Sequence, residues 1–160
     1  MIVIVAGVSG TGKSTVGERV AHALALPFYD ADDFHPQCNV DKMRGGTPLT
    51  DDDRWPWLDR LATLLAECET TGGAVLACSA LKEKYRQRLM SECSDNIQWI
   101  TLNGDYDLLK QRMSERQDHF FDGTLLQSQL ATLELPDYGH IIDVSPRLDE
   151  VVSHTLKQLP

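Results

Sequence analysis

Gly7-Val8-Ser9-Gly10-Thr11-Gly12-Lys13-Ser14 places a lysine and a hydroxyl directly after a glycine-rich turn, at the spacing Gly, four residues, Gly-Lys-Ser. That is the P-loop pattern, and the chemistry it suits is the holding of a triphosphate. Glycines bend the chain tightly and let backbone N–H groups approach phosphate oxygens. The N–H groups from Gly7 to Thr15, through Val8, Ser9, Gly10, Thr11 and Gly12, would form the cradle. Lys13 would reach the β- and γ-phosphates and the Ser14 hydroxyl would ligate Mg²⁺. Before the loop runs Ile2–Ala6, apolar and of strand length; after it, Val16, Val20 and Leu24 recur at helical spacing. A helix starting near Lys13 would add unpaired N–H groups and the positive end of its dipole.

A second group of chemically capable residues follows the next short apolar run, in Phe28-Tyr29-Asp30-Ala31-Asp32-Asp33. In an extended segment, alternation sets Asp30 and Asp32 on one side. Asp30 would hold Mg²⁺ through water and Asp32 would orient an acceptor hydroxyl. The competing reading is that these acids cap the next turn and face water. The third apolar run, Ala74–Cys78, ends with no carboxylate for a metal, which shifts that duty to Asp30 and Asp32. It is followed instead by Ser79, Lys82, Lys84, Tyr85 and Arg86, a basic and hydroxyl-bearing patch in which Lys84 reads as a solvated face. The polar stretch 35–49, with His35, Asn39, Lys42 and Arg44, reads as an acceptor-binding segment; His35 could equally be a helix cap or a satisfied histidine. Arg112 and Arg116 lie one helical turn apart and lead into a short aromatic and glycine-bearing loop. A mobile lid that carries an arginine to a transferring phosphate has this form; surface pairing with Asp105, Asp118 or Glu115 is the alternative.

The elements that must position these groups alternate. Strand-like runs at Ile2–Ala6, Phe28–Tyr29, Ala74–Cys78, Ile97–Leu102 and Ile141–Val144 are separated by helical patterns. Thr50 with Asp51-Asp52-Asp53 reads as an N-cap with acids in the first turn, opening a helix that stops near Gly72-Gly73. Further helices are expected over Leu81–Met90, Tyr106–Arg116, Leu125–Leu133 and Leu148–Leu159. This is an α/β pattern with a mainly parallel sheet, whose ligand sits outside the carboxyl ends of the strands. A length of 160 residues suits one domain, 1–160, with the lid at about 117–124. The net charge of −9 argues against nucleic acid and against an anionic membrane surface. Cys38, Cys68, Cys78 and Cys93 show no zinc spacing and fit free thiols in a reducing compartment. The apolar start is too short for a signal or membrane segment, so the expected location is the cytoplasm.

Taken together, these residues resemble the small P-loop gluconokinase family. The likeness rests on Gly7–Ser14, on Asp30-Ala31-Asp32-Asp33-Phe34-His35-Pro36, on Asn39 and Lys42-Met43, and on Gly46-Thr47-Pro48-Leu49 with Asp51-Asp52-Asp53-Arg54 and Trp57. It extends to Cys78-Ser79-Ala80-Leu81-Lys82 with Tyr85-Arg86, and to His119-Phe120-Phe121. Shikimate kinases, of related fold, carry a glycine triplet after the third strand instead. The resemblance implies a three-layer P-loop kinase fold with a five-stranded parallel sheet of order 2-3-1-4-5, helices on both faces and a small lid. It implies ATP and Mg²⁺, transfer to the 6-hydroxyl of D-gluconate, and a homodimer. It also implies that Asp32 meets the acceptor hydroxyl and Arg54 the acceptor carboxylate, with His35, Lys42, Lys82 and Arg86 in the acceptor set. Arg112 would lie near the adenine and Arg116 near the phosphates. The rivals are another small-molecule kinase of this fold, shikimate kinase-like, and a nucleotide-binding regulatory module.

Overall fold

The computed structural model describes residues 1–94, 97–115 and 123–160, with residues 123 and 124 as backbone alone. Its strands are β1 (Ile2–Ala6), β2 (Phe28–Asp30), β3 (Ala74–Cys78), β4 (Ile97–Asn103) and β5 (His140–Asp143). The helices are α1 (Lys13–Leu24), α2 (Gln37–Arg44), α3 (Asp51–Thr70), α4 (Glu83–Met90), α5 (Tyr106–Glu115), α6 (Gly123–Thr132) and α7 (Leu148–Gln158). A short 3₁₀ helix, Ala31–Phe34, follows β2.

All pairings are parallel, and the strand order is β2-β3-β1-β4-β5, as the resemblance implies. β1 and β3 are buried along their whole length, the pattern of strands covered on both faces. Alternation divides their side chains between two cores. Ile2, Ile4 and Leu76 pack with Trp57, Leu58, Leu61 and Leu65 of α3 and Leu89 of α4. Val3, Val5 and Val75 pack with Val16 and Val20 of α1 and Val151 and Val152 of α7. The register Ala6–Cys78 and Ala6–Thr101 brings the carboxyl ends of β3 and β1 level, and β4 runs two residues further, to Asn103. Asp30 at the end of β2 pairs with Ala77. The loops after β1, β2 and β3 therefore meet at one edge of the molecule.

Element ends shift from the sequence reading by no more than two residues, as helix ends do. The larger difference is α2, inside a stretch expected to be polar loop. It has no apolar face: Asn39 is its one buried residue, so hydrophobic periodicity carried no signal. No helix among the described residues is long and apolar enough to cross a membrane. The expected lid at 117–124 falls largely outside the described residues; α6 starts at Gly123.

Gly7 turns the chain out of β1 at φ 152°, and a Cβ there would lie 2.8 Å from the Leu102 carbonyl oxygen and 2.9 Å from Thr11 Oγ1. Gly7→Ala is expected to cost about 2 kcal/mol through this clash and the strained backbone, measured by urea denaturation.

Candidate active site

Two helix starts show how the chain treats its termini. α3 is closed by a full capping box: Thr50 Oγ1 accepts from Asp53 N–H, and the Asp53 carboxylate accepts from Thr50 N–H. Asp51, Asp52 and Asp53 add negative charge to its first turn. α1 begins with none of this. Its N-cap is Gly12, no side chain caps it and its first turn holds no acid. Its N–H groups and dipole are left for an anion. Ahead of it, Gly10 and Gly12 lie at φ 85° and 84°, and Thr11 Oγ1 donates to the Val8 carbonyl at 2.8 Å. Val8 and Thr11 are buried, so their share in a cradle is backbone. The Ser9 N–H donates to Gln129 Oε1 of α6 at 2.8 Å, tying that helix to the loop.

Ser14 Oγ donates to Asp30 Oδ2 at 2.8 Å. The other Asp30 oxygen accepts from Asp32 N–H at 3.0 Å, capping the 3₁₀ helix. The expected metal role and the expected capping role thus sit on one carboxylate. Asp30 and Asp32 are not neighbours by alternation along a strand, because the chain turns at Asp30 and Asp32 stands inside the turn. The turn is held by Trp57, whose Nε1 donates to the Ala31 carbonyl at 2.7 Å.

The Asp32 side chain is 75% exposed, at the turn that follows β2. Partial desolvation raises its pKa above the ordinary value; Lys13 opposes the rise, while Asp30 and Asp33 add to it. Beneath it the Cys78 thiol is held at about 12, by burial first and then by the Asp32 charge. That thiol stays protonated and is no nucleophile.

The expected acceptor residues separate into two groups. Arg54 and Lys82 gather at Tyr85, and His35 lies against Trp57. Arg54 Nη1 donates to the Leu49 carbonyl at 2.8 Å, and its guanidinium lies 5.1 Å from the centre of the Tyr85 ring. Lys82, at the start of α4, lies 6.0 Å from the same ring. His35 stacks on Trp57 at 4.1 Å, and burial together with Arg54 lowers its pKa to about 4. Lys42 Nζ is paired with Asp53 Oδ2 at 2.8 Å, and Lys84 is paired with Asp51.

Arg86 is a correction. It is 2% exposed, with Nε on Glu83 Oε2 at 3.0 Å, Nη1 on the Ala80 carbonyl at 2.9 Å and Nη2 on the Glu134 carbonyl at 2.7 Å. All three guanidinium nitrogens are engaged by protein, and the residue serves as a strut. It fixes the loop after β3, where Ala80 sits at φ 40°, and joins that loop to the segment after α6. As a sequence, Arg86 belongs to the basic patch after the third strand; only packing shows that it points inward.

On the donor side, a cleft of about 290 Å³ opens beside Gly10, Gly12 and Thr15, walled by Arg112, Leu148 and Val151. Arg112 Nη2 donates to the Pro146 carbonyl at 3.1 Å, which sets it at this cleft. Arg116 lies outside the described residues.

The family model described as shikimate kinase matches residues 9–157. The chain is 41% identical to a probable gluconokinase of Dictyostelium discoideum, over 99% of this chain and 86% of that one. It is 40% identical to the thermoresistant gluconokinase of Escherichia coli K12, over 98% and 91%. The chain belongs to the gluconokinase family. The crystal structure of a gluconokinase from Sinorhizobium meliloti superposes with a TM-score of 0.92 at 42% identity, covering 99% of this chain and 90% of that one. Shikimate kinase from Aquifex aeolicus, at 18% identity and a TM-score of 0.64, shares the fold. The string from Asp30 to Pro36, part of the resemblance read from the sequence, is the segment folded here into the 3₁₀ turn and its cap.

Two measurements follow. Arg86→Met should cost about 3 kcal/mol in urea denaturation, because the Ala80 and Glu134 carbonyls lose a buried charged donor. Thermal stability should also fall in two steps on acidification. Unfolded His35 takes up a proton near 6.5 and the folded state resists until about 4, so stability declines from pH 6.5 towards 4. Asp51 and Asp53 are held at about 2, mainly by their lysine partners, so their contribution is lost as pH falls from about 4 towards 2. Melting curves across pH 2–8 read both steps, and His35→Phe should flatten the first.

Proposed function

We propose that this protein transfers the γ-phosphoryl group of ATP to the 6-hydroxyl of D-gluconate, giving 6-phospho-D-gluconate and ADP. The observation that carries the proposal is the meeting of two halves at one edge of the sheet. The uncapped start of α1, with Lys13, faces Asp32 on the turn after β2. Membership of the gluconokinase family supports the choice of acceptor.

In this reading the backbone of Gly7–Thr15 binds the phosphates and Lys13 neutralises the group in transit. Asp32 orients the acceptor hydroxyl and takes its proton. The hydroxyl O–H bond breaks, its oxygen bonds phosphorus, and the bridging oxygen leaves on ADP. A raised pKa at Asp32 favours that proton uptake, and a loose transition state needs it only late. Arg54 and Lys82 supply positive charge for the sugar acid's carboxylate, where the planar guanidinium suits two carboxylate oxygens. Arg112 flanks the nucleobase. Arg116, which leads into the expected lid at about 117–124, would bring charge to the phosphates.

Mg²⁺ fits the residues present. Ser14 Oγ and Asp30 Oδ2 are hard oxygen donors 2.8 Å apart beside the phosphate cradle. Among the described residues no cluster of three His, Cys, Asp or Glu groups is arranged to hold a metal. Mg²⁺ characteristically takes one or two protein oxygens and completes its shell with phosphate and water. Ser14 and Asp30 would hold it, and it would supply charge balance on the β- and γ-phosphates. Four free thiols agree with action in the cytoplasm, and the family resemblance supports a homodimer.

A coupled ADP-release assay tests the activity. Gluconate should support turnover that shikimate and nucleoside acceptors do not. Asp32→Asn should lower kcat by about 100-fold or more while melting as the wild type does. Lys13→Ala should lose turnover without losing the fold. A variant at either position that keeps wild-type rates overturns its assigned role.

A further inference from the structure

Asp32 carries the acceptor chemistry in the proposed reaction, yet among the described residues no donor lies within hydrogen-bonding distance of its carboxylate. His35 Nε2 lies 3.9 Å from Oδ1. Asp32 lies within the 3₁₀ helix, and His35, three residues on, is its C-cap. A modest swing of the exposed Asp32 side chain closes the gap.

His35 itself cannot swing. Its side chain is 3% exposed, and its ring lies flat on Trp57, 15° from parallel. Its Nδ1 faces Asn39 Nδ2 at 3.3 Å. The same Nδ2 lies 2.9 Å from the Asp53 carbonyl oxygen. A carbonyl can only accept, so the Asn39 atom facing it must be the amide nitrogen, and this settles which way the side chain is turned. Asn39, which is 1% exposed, thus donates towards Nδ1 as well. Nδ1 must then be the unprotonated nitrogen, and the ring proton sits on Nε2, the nitrogen that faces Asp32.

We propose that His35 is a positioning residue for Asp32, its Nε2–H holding carboxylate oxygen Oδ1 so that Oδ2 faces the acceptor hydroxyl. The inference rests on the reading of Asp32 given above. It assigns to His35 a role other than contact with the sugar acid, and it gives Asn39, Asp53 and Trp57 a shared task. They select one tautomer and one ring plane. The proton on Nε2 stays there throughout; the acceptor's proton goes to Asp32.

Nitrogen-15 histidine spectra of the wild-type protein between pH 5.5 and 8 test the first half without any variant. His35 should appear as the neutral Nε2–H tautomer over the whole range. An Nδ1–H tautomer, or a charged ring in that range, overturns the proposal whatever the role of Asp32. Steady-state kinetics test the second half. His35→Phe keeps a ring against Trp57 and removes the donor; kcat should fall about 10- to 100-fold with KM for ATP and gluconate within twofold. His35→Gln, which returns an N–H near the Nε2 position, should recover most of that loss.

A loss confined to the gluconate KM would make His35 a substrate contact and overturn the proposal, as would equal losses in the Phe and Gln variants. If His35→Phe fails to fold, the spectra and the Gln variant decide, the latter by holding kcat within about threefold of wild type. Asp32→Asn separates the two readings. Wild-type turnover there removes the reading of Asp32 and this inference with it, whereas a dead Asp32→Asn beside an unimpaired His35→Phe removes this inference alone.

Discussion

The hydrogen bond from Ser14 to Asp30 joins the first turn of α1 to the end of β2, two strands away across the end of β3. It can form because β3 finishes in Ala77 and Cys78, small side chains with no carboxylate of their own. Through it the loop after β1 and the turn after β2 share one group. Asp30 is also the cap of the 3₁₀ turn, so the residue that meets the serine determines where Asp32 stands. Weakening either bond of Asp30 would disturb loop and turn together.

Around this centre the molecule spends its polar groups unevenly. α3 has its first N–H groups satisfied by a capping box and its dipole answered by three aspartates. α1 has neither, and such an opening is tolerable where an anion completes it. The basic residues follow the same division. Arg86 has its guanidinium matched to protein acceptors and acts in the scaffold, while the partly exposed Lys82 and Arg54 lie over the face of Tyr85. The strut formed by Arg86 also links the loop after β3 to the segment beyond α6, and Gln129 links α6 to Ser9. Acceptor loop, donor loop and the helix after residue 122 are therefore braced against one another.

Much of the fold was legible because its signals are local. A strand of apolar residues, a glycine turn and a helix are read within a dozen positions, as is the Thr50 cap with its acids. α2 was not legible, since it is a polar helix pinned by Asn39 rather than by an apolar stripe. Asp32 was recognised as a candidate but by the wrong geometry, because a strand was extended past the residue that ends it. Arg86 was misplaced because residue type says nothing about direction. The His35, Asn39 and Asp53 chain spans nineteen residues and two helices, and no spacing rule joins them.

What the sequence determined by itself was the inventory: a phosphate loop, two aspartates after the second strand, basic groups after the third, and an alternation of strand and helix that can close only as a parallel sheet. These are consequences of covalent neighbours and short periods. The tertiary structure decided how the inventory is used. It chose which carboxylate meets Ser14, which arginine is sealed inside, and which nitrogen of His35 bears the proton. Each of those outcomes depends on burial and on hydrogen-bond partners supplied by distant segments, and such partners exist only once the chain is packed.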